Sequence, residues 1–443
     1  MRFSGPVVED IRHTEILKHF GAQVSVKIRY GSGMLLLKAL RNRAVSRLWI
    51  GQVGSAIGDE IYRVAFIWLA VDLIGANTGY LASLQYLVIL IFGVFGGKWA
   101  DRYTPYQTMI RVDLIRALIT LTPVFLFYLH RPSFPALVVS SMILAGLGAF
   151  FEPAMQSVLP VVAKDAATLK AANGLMSTTL RLARVMGPAI IGLLSTVVAS
   201  VHFFTLNSFS YLFSALSVIS IKKDIPKIEN VHRHDKEHIL SSFLLGFRKT
   251  RSNPIIYRSM MAKATNAGAW GLVYGLGIAL LIHEMSPKNV KAFGMVMGAY
   301  GIGNVISAIG FGSYERKHPE RLIYLGLLWL GVCFVIMSIT TSFPLLLLIT
   351  AITAVGGPMN DLPFYDLVQR EYAIADLPRI FRIRMIFENL FTLLFMLVSP
   401  FLFHHFPIRT VIMGCGVFGL IISCYGLIKV SPDPSPASHP ERS

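Results

Sequence analysis

An aspartate at position 59 and an arginine at position 63 interrupt an otherwise apolar run, RLWIGQVGSAIGDEIYRVAFIWLAVDL. With Gln52 and Ser55 they step by three or four residues, which places all four on one face of a helix. Counted from Leu48, Asp59 lies about 16 Å along the axis, near the middle of a hydrocarbon layer about 30 Å thick. A carboxylate at that depth can exchange a proton or pair with a cation, and Arg63, one turn on, is the expected partner. Glu60 falls on another face. A second stripe carries Ser177, Arg181, Arg184 and Pro188, and a third apolar run holds Asp113 and Arg116. Later runs offer Lys263, Asp361, Asp366 and Glu388, the last followed by Asn389. Asp59, Arg63, Arg181 and Arg184 are the candidates for proton coupling. Gln52, Ser55, Glu388 and Asn389 are candidates for lining a substrate cavity. For each charge the competing reading is a buried structural ion pair.

These residues need a scaffold, and composition names it. Of 443 residues, 54% are hydrophobic and 15% charged, against about 25% charged in ordinary soluble domains. Apolar runs long enough to cross a bilayer recur throughout. Read as spans they number twelve: 46–74, 79–100, 108–130, 135–156, 174–199, 202–222, 254–283, 290–313, 320–341, 343–365, 380–405 and 408–430. The expected fold is therefore an all-α integral membrane protein with twelve transmembrane helices in two six-helix bundles. The net charge of +17 does not imply nucleic acid. Most Lys and Arg fall in one alternating set of loops, whereas the other set holds only Arg131, Lys288, Lys291 and Arg409. By the positive-inside rule both termini are cytoplasmic, and the basic face suits anionic lipid.

Two polar segments break the rhythm. Residues 1–45 form a tail, with Met34 a plausible start, and residues 223–253 form a linker ending in ILSSFLLGFRKTRSNP. Ile239, Phe243 and Phe247 suit a short amphipathic helix on the inner membrane surface. The linker separates a first bundle (46–222) from a second (254–430), and a tail (431–443) follows. A repeat supports the division. GGKWADRYTP and GFGSYERKHP align Gly96, Asp101, Arg102 and Pro105 with Gly310, Glu315, Arg316 and Pro319, each set between the second and third span of its half.

GKWADR resembles the loop between helices 2 and 3 of the major facilitator superfamily, whose pattern is Gly-x-Leu-Ala-Asp-Arg-x-Gly-Arg-Arg/Lys. Gly97, Ala100, Asp101 and Arg102 match, while Trp99, Thr104, Pro105 and Tyr106 depart, and Lys98 supplies charge from a different position. The resemblance implies a gating latch of Gly97, Asp101 and Arg102, with Glu315 and Arg316 in the second copy and Asp113 and Arg116 as nearby partners. A carboxylate at a helix N-terminus is favoured by roughly 0.3–1 kcal/mol, small enough for a reversible gate. A plain cytoplasmic turn is the alternative. LRNRAVSRLWIGQVGSAIGDEIYRVAFIWLAVDL and FFEPAMQSVLPVVAKDAATLKAANGL resemble the branch containing macrolide-efflux and enterobactin-exporter proteins. LARVMGPAIIGLL resembles the helix-5 motif of drug antiporters through Gly187, Pro188 and Gly192, with Ala183 and Ile191 replacing two glycines. Such a motif serves close packing or coupling. Drug antiporters also carry an arginine in helix 4, and VVSSMILAGLGAFF has none.

The resemblance implies a secondary transporter exporting an amphipathic molecule (a siderophore, macrolide or other drug-like compound) by proton antiport. It would act as a monomer in the bacterial inner membrane. Uptake or flipping of a siderophore or lysophospholipid is the alternative direction, and a non-transporting membrane sensor the alternative class. No HExxH, nucleophile elbow or P-loop is present, which argues against an enzyme and against ATP-driven transport. Cys333, Cys415 and Cys424 have no ligand spacing, so no metal or cofactor is expected.

Overall fold

The computed structural model describes residues 39–95, 104–131, 133–224, 239–287, 289–312, 318–373 and 376–430. They form α1 (Arg43–Ile74), α2 (Thr78–Phe95), α3 (Pro105–Thr120), α4 (Thr122–Tyr128), α5 (Phe134–Ala163), α6 (Ala166–Leu194), α7 (His202–Ser220) and α8 (Ile239–Ser252). After these come α9 (Pro254–Leu272), a π-helical turn (Val273–Gly277), α10 (Ile278–Met285), α11 (Val290–Gly312), α12 (Pro319–Ile339), α13 (Phe343–Thr353), α14 (Gly356–Glu371), α15 (Leu377–His405) and α16 (Ile408–Lys429). Several starts are written in the chain. Asn42 accepts from the amides of Ala44 and Val45, Asp165 from Thr168, and Asn253 from Ile255 and Ile256, which satisfies donors a helix start leaves open. Pro105, Pro254 and Pro319 open α3, α9 and α12, where a missing N–H does no harm. Gly75, at φ +54, turns the chain out of α1.

Nine stretches among the described residues are long and apolar enough to cross a membrane. The difference from the twelve expected spans has physical causes. Arg43–Phe92 counts once because α1 and α2 are joined only by the short turn Gly75–Asn77. The 108–130 run breaks at Leu121 into α3 and α4, with Pro123 in the first turn of α4. The helix α6 carries Lys170, Arg181 and Arg184, which lower its hydropathy. Large apolar side chains such as Leu118, Phe209, Leu216, Ile306 and Ile421 point outward, as expected where lipid is the solvent.

Helix pairing in the first half recurs in the second. The contacts α1·α6, α2·α5, α3·α5 and α3·α7 have counterparts in α9·α15, α11·α13, α12·α14 and α12·α16. Between the halves, α6 packs on α11 and α2 on α15, which are equivalent pairs under the same repeat. Three cores result. The first spans both halves and gathers Val64, Trp68, Ile191 and Phe203 with Tyr274, Phe293, Phe334 and Ile412. It lies toward the end where short connections join α1 to α2, α6 to α7 and α10 to α11. At the opposite end the cores are separate. One holds Leu48, Met109, Val158 and Val218 of the first half, and the other Met260, Tyr324, Phe364 and Ile383 of the second. Among the described residues the buried core is therefore shared at one end and divided at the other.

Within the expected linker, α8 packs on the second half. Lys249 pairs with Asp376 at 2.6 Å, and Phe247 lies against Tyr257 and Phe387.

Candidate functional site

Polar groups gather in three places, and the first lies inside the first half. A cavity of about 120 Å³ is lined by Gln52, Ser55 and Asp59 of α1, Arg116 of α3, Glu152 of α5 and Thr179 of α6. The Tyr211 hydroxyl of α7 donates to the Asp59 carboxylate. Gln52 donates to Ser214 at 2.9 Å. The Arg116 guanidinium lies 3.9 Å from Asp113 and over the rings of Phe151 and Tyr211, at 4.9 and 5.4 Å. It also passes Gly148 of α5, where an added Cβ would sit 3.2 Å from Nη2. The span without an arginine thus receives one from α3, beside a residue with no side chain.

This geometry corrects one expectation. Asp59 does not pair with Arg63; it faces Tyr211 and Arg116. Arg63 instead makes two hydrogen bonds to one Glu60 oxygen, at 2.8 and 2.5 Å. Its long side chain reaches past the stripe, and Asp59 is already held by α7. Asp113 and Arg116, expected with the latch, are buried against α1, α5 and α7. The other expected latch residues, Gly97, Asp101, Arg102, Glu315 and Arg316, lie outside the described residues.

The second group faces the cleft between the halves. Glu60 holds Arg63 and has Arg184 of α6 at 4.0 Å. Opposite them stand Tyr300 and Trp270, whose indole N–H donates to the Tyr300 hydroxyl at 2.9 Å. Asn304 lies beside Gly357. Deeper in the second half, Lys263 is buried and donates to Asp361 and, at 2.6 Å, to Asn360. Arg384 pairs with Glu388 at 3.5 Å and covers the Tyr365 ring. Asn389 follows on α15, half-buried. Of the expected cavity residues, Gln52 and Ser55 therefore line the interior cavity of the first half, whereas Glu388 belongs to the second.

The third group is the seam at the closed end. A Cβ on Gly187 would lie 2.5 Å from the Glu60 side chain and 3.0 Å from backbone of α1. One on Gly294 would lie 2.9 Å from both the Gly192 nitrogen and the Pro188 carbonyl. The motif residues Gly187, Pro188 and Gly192 thus bring α6 against α1 and α11 at backbone distance, the use small residues have in membrane helices. Beyond them Asp72 meets His283 at 3.2 Å, and Trp68 stacks on Phe293. Asp72 also borders a mostly apolar pocket of about 650 Å³ with Trp68, Leu126, Phe127 and Phe204.

Sequence reading overlooked Tyr211, Tyr300, Trp270 and the Asp72–His283 pair. A signal existed for Tyr211: Asn207, Tyr211 and Ser214 form a polar stripe at helical spacing on α7. For the others no local pattern exists, because each partner comes from a distant helix. Among the described residues no cluster of His, Cys, Asp and Glu is suited to a metal ion.

Residues 36–359 match the transmembrane secretion effector family. The chain is 25% identical over 331 residues to the multidrug efflux pump Tap of Mycolicibacterium fortuitum, covering 71% of this chain and 78% of that protein. It is 24% identical over 289 residues to the staphyloferrin A transporter of Staphylococcus aureus, covering 63% and 65% of the two chains. The fold resembles the crystal structure of the nucleoside transporter NupG, with a TM-score of 0.70 at 12% identity over 88% of this chain and 100% of that one. With this match over most of its length and its repeated helix pairing, the chain belongs to the transmembrane secretion effector family of major facilitator transporters.

Proposed function

We propose that this transporter exports an amphipathic organic molecule across the bacterial cytoplasmic membrane in exchange for protons. The distribution of the cores carries the reading: one core shared at one end and two separate cores at the other leave a charged cleft open on one side. Alternating access requires a molecule that can part at either end in turn. Basic residues at helix ends beside the separate cores, among them Arg43, Lys164, Lys249 and Arg379, support a cytoplasmic placement of that end by the positive-inside rule. In this reading the chain crosses twelve times, as two six-helix halves, keeps both termini inside and works as a monomer. Relatives named as a multidrug efflux pump and a siderophore transporter support a drug-like or siderophore-like cargo.

Asp59 is the proposed proton site. Its carboxylate ties α1 to α7 through Tyr211 and faces Arg116 of α3. Taking up a proton cancels the charge those groups hold, so protonation and helix packing are coupled. The test is transport by purified protein in liposomes, with and without an imposed pH gradient, using a panel of macrolides and siderophores. Asp59→Asn is expected to insert normally and to lose the response to the gradient. Gradient-driven accumulation equal to wild type would leave Asp59 structural. The topology has its own check: a reporter active only outside the cytoplasm should be silent in the 223–253 segment and active near Pro287.

A further inference from the structure

The cations of α6 are loosely paired. Glu60 stands beside α6, and its side chain is only 17% exposed. Both of its hydrogen bonds come from Arg63. Arg184 reaches it only at the limit of an ion pair, with Nε 4.0 Å from the other oxygen, and the Arg184 side chain is 69% exposed. Arg181, one turn earlier on α6, has no carboxylate within ion-pair distance among the described residues. It is near enough to feel the charge of Asp361 across the cleft. That charge is already taken by Lys263, and the charge of Glu388 by Arg384. Glu60 is thus shared among cations of its own wall, and Asp361 and Glu388 opposite are held by partners of their own half. On one face of α6, Arg184 therefore has its carboxylate only at 4.0 Å and Arg181 has none in ion-pair contact among the described residues.

Charge without a close partner at membrane depth is costly and persists where it has a use. A guanidinium presents a planar fork of donors that fits a carboxylate through two parallel bonds. Opposite Arg63 and Arg184, the Tyr300 hydroxyl accepts from Trp270 and has its own proton to give. The Trp270, Tyr274 and Tyr300 rings, with centroids 4.5–5.8 Å apart, form an aromatic wall behind it. A ligand with an acid at one end and an apolar or aromatic body at the other fits both surfaces.

We infer that Arg181 and Arg184 form a carboxylate-binding subsite, and that the cargo is an amphiphile carrying at least one carboxylate. This rests on the export reading and narrows it, because it excludes a purely cationic, lipophilic drug as the preferred substrate. Glu60 positions Arg63 and Arg184 at the edge of the subsite. The Arg181 and Arg184 side chains hold the acid, and the partly exposed Trp270 and Tyr300 rings, backed by the buried Tyr274, receive the body.

The experiment uses the full chain in lipid nanodiscs and a matched probe set: naphthylacetate, its amide, its methyl ester, naphthylmethylammonium and naphthylmethyl phosphate. Binding is read by tryptophan fluorescence. The carboxylate is expected to bind at least tenfold more tightly than its amide, ester or ammonium counterpart. Arg181→Gln and Arg184→Gln are each expected to lose that preference without losing the thermal transition. Arg184→Lys, which keeps the charge but not the fork, should retain part of it. Equal binding of ester and acid, preference for the ammonium or the phosphate, or no binding by any probe would overturn the subsite. Full carboxylate preference in the Gln variants would overturn it as well. The export reading fails separately: carboxylate preference with no gradient-driven transport overturns export and leaves the subsite standing.

Discussion

Replacing Gly294 with alanine adds one methyl group at the closest approach of the halves. The new Cβ would lie 2.9 Å from the Gly192 nitrogen and 2.9 Å from the Pro188 carbonyl oxygen. Both are backbone atoms, so no side chain can swing away, and relief requires α6 and α11 to separate by about half an ångström or more. Overpacking of this kind costs about 1–3 kcal/mol. If the strain exists only when this end is closed, it shifts the ratio of closed to open conformers between about fivefold and more than a hundredfold. Spin labels at Thr196, just beyond α6, and Lys291, at the start of α11, report the separation; both residues are exposed. The native cysteines Cys333, Cys415 and Cys424 are replaced first. Wild type should give a short distance distribution, and Gly294→Ala a second, longer population. An unchanged distribution with normal transport would show that the seam has slack and that this contact does not set closure.

Arg116→Ala removes the buried cation beside Asp113 and should lower stability by about 3–5 kcal/mol, read as a thermal shift in detergent. The double variant with Asp113→Ala should recover part of that loss, and an additive double would refute the pairing. Gly303→Ala should also destabilise, because its Cβ would collide with the Ala351 carbonyl of α13. Gly310→Ala on the same helix, with nothing within 4 Å, should leave the melting temperature unchanged. Equal effects at the two glycines would refute the packing of α11 on α13.

Much of the scaffold was legible because lipid imposes one solvent on every span: a long apolar run reads as a helix whatever its neighbours are. The sequence repeat at 96–105 and 310–319 lies mostly outside the described residues, and the equivalent contacts α2·α15 and α11·α6 follow the same offset between spans. Interruptions within spans were not legible. The break at Leu121 had a local signal in Pro123, which the apolar run masked, whereas the π-helical turn at Val273–Gly277 has no proline to mark it. Charge partners were the other gap. Spacing on α1 places Arg63 within reach of Asp59, yet Tyr211, 152 residues away, takes that carboxylate. Glu60 then takes the arginine. A helical stripe says which groups share a face; it does not say which side chain from another helix arrives first.

The confinement of the shared core to one end has a mechanical consequence. The glycine-mediated close approaches of α6 to α11 run from Arg184 to Gly192, a span of about 12 Å at 1.5 Å per residue. From Pro188 back to Ala166, where α6 begins, is about 33 Å. The helix is therefore a lever with its fulcrum near the closed end and a long arm reaching toward the mouth. A tilt that moves the edge of the fulcrum by 1 Å moves the far tip by about 5 Å. Substitutions of equal size should therefore have unequal effects along α6: near the fulcrum they set the aperture, and along the arm they change only what the aperture touches.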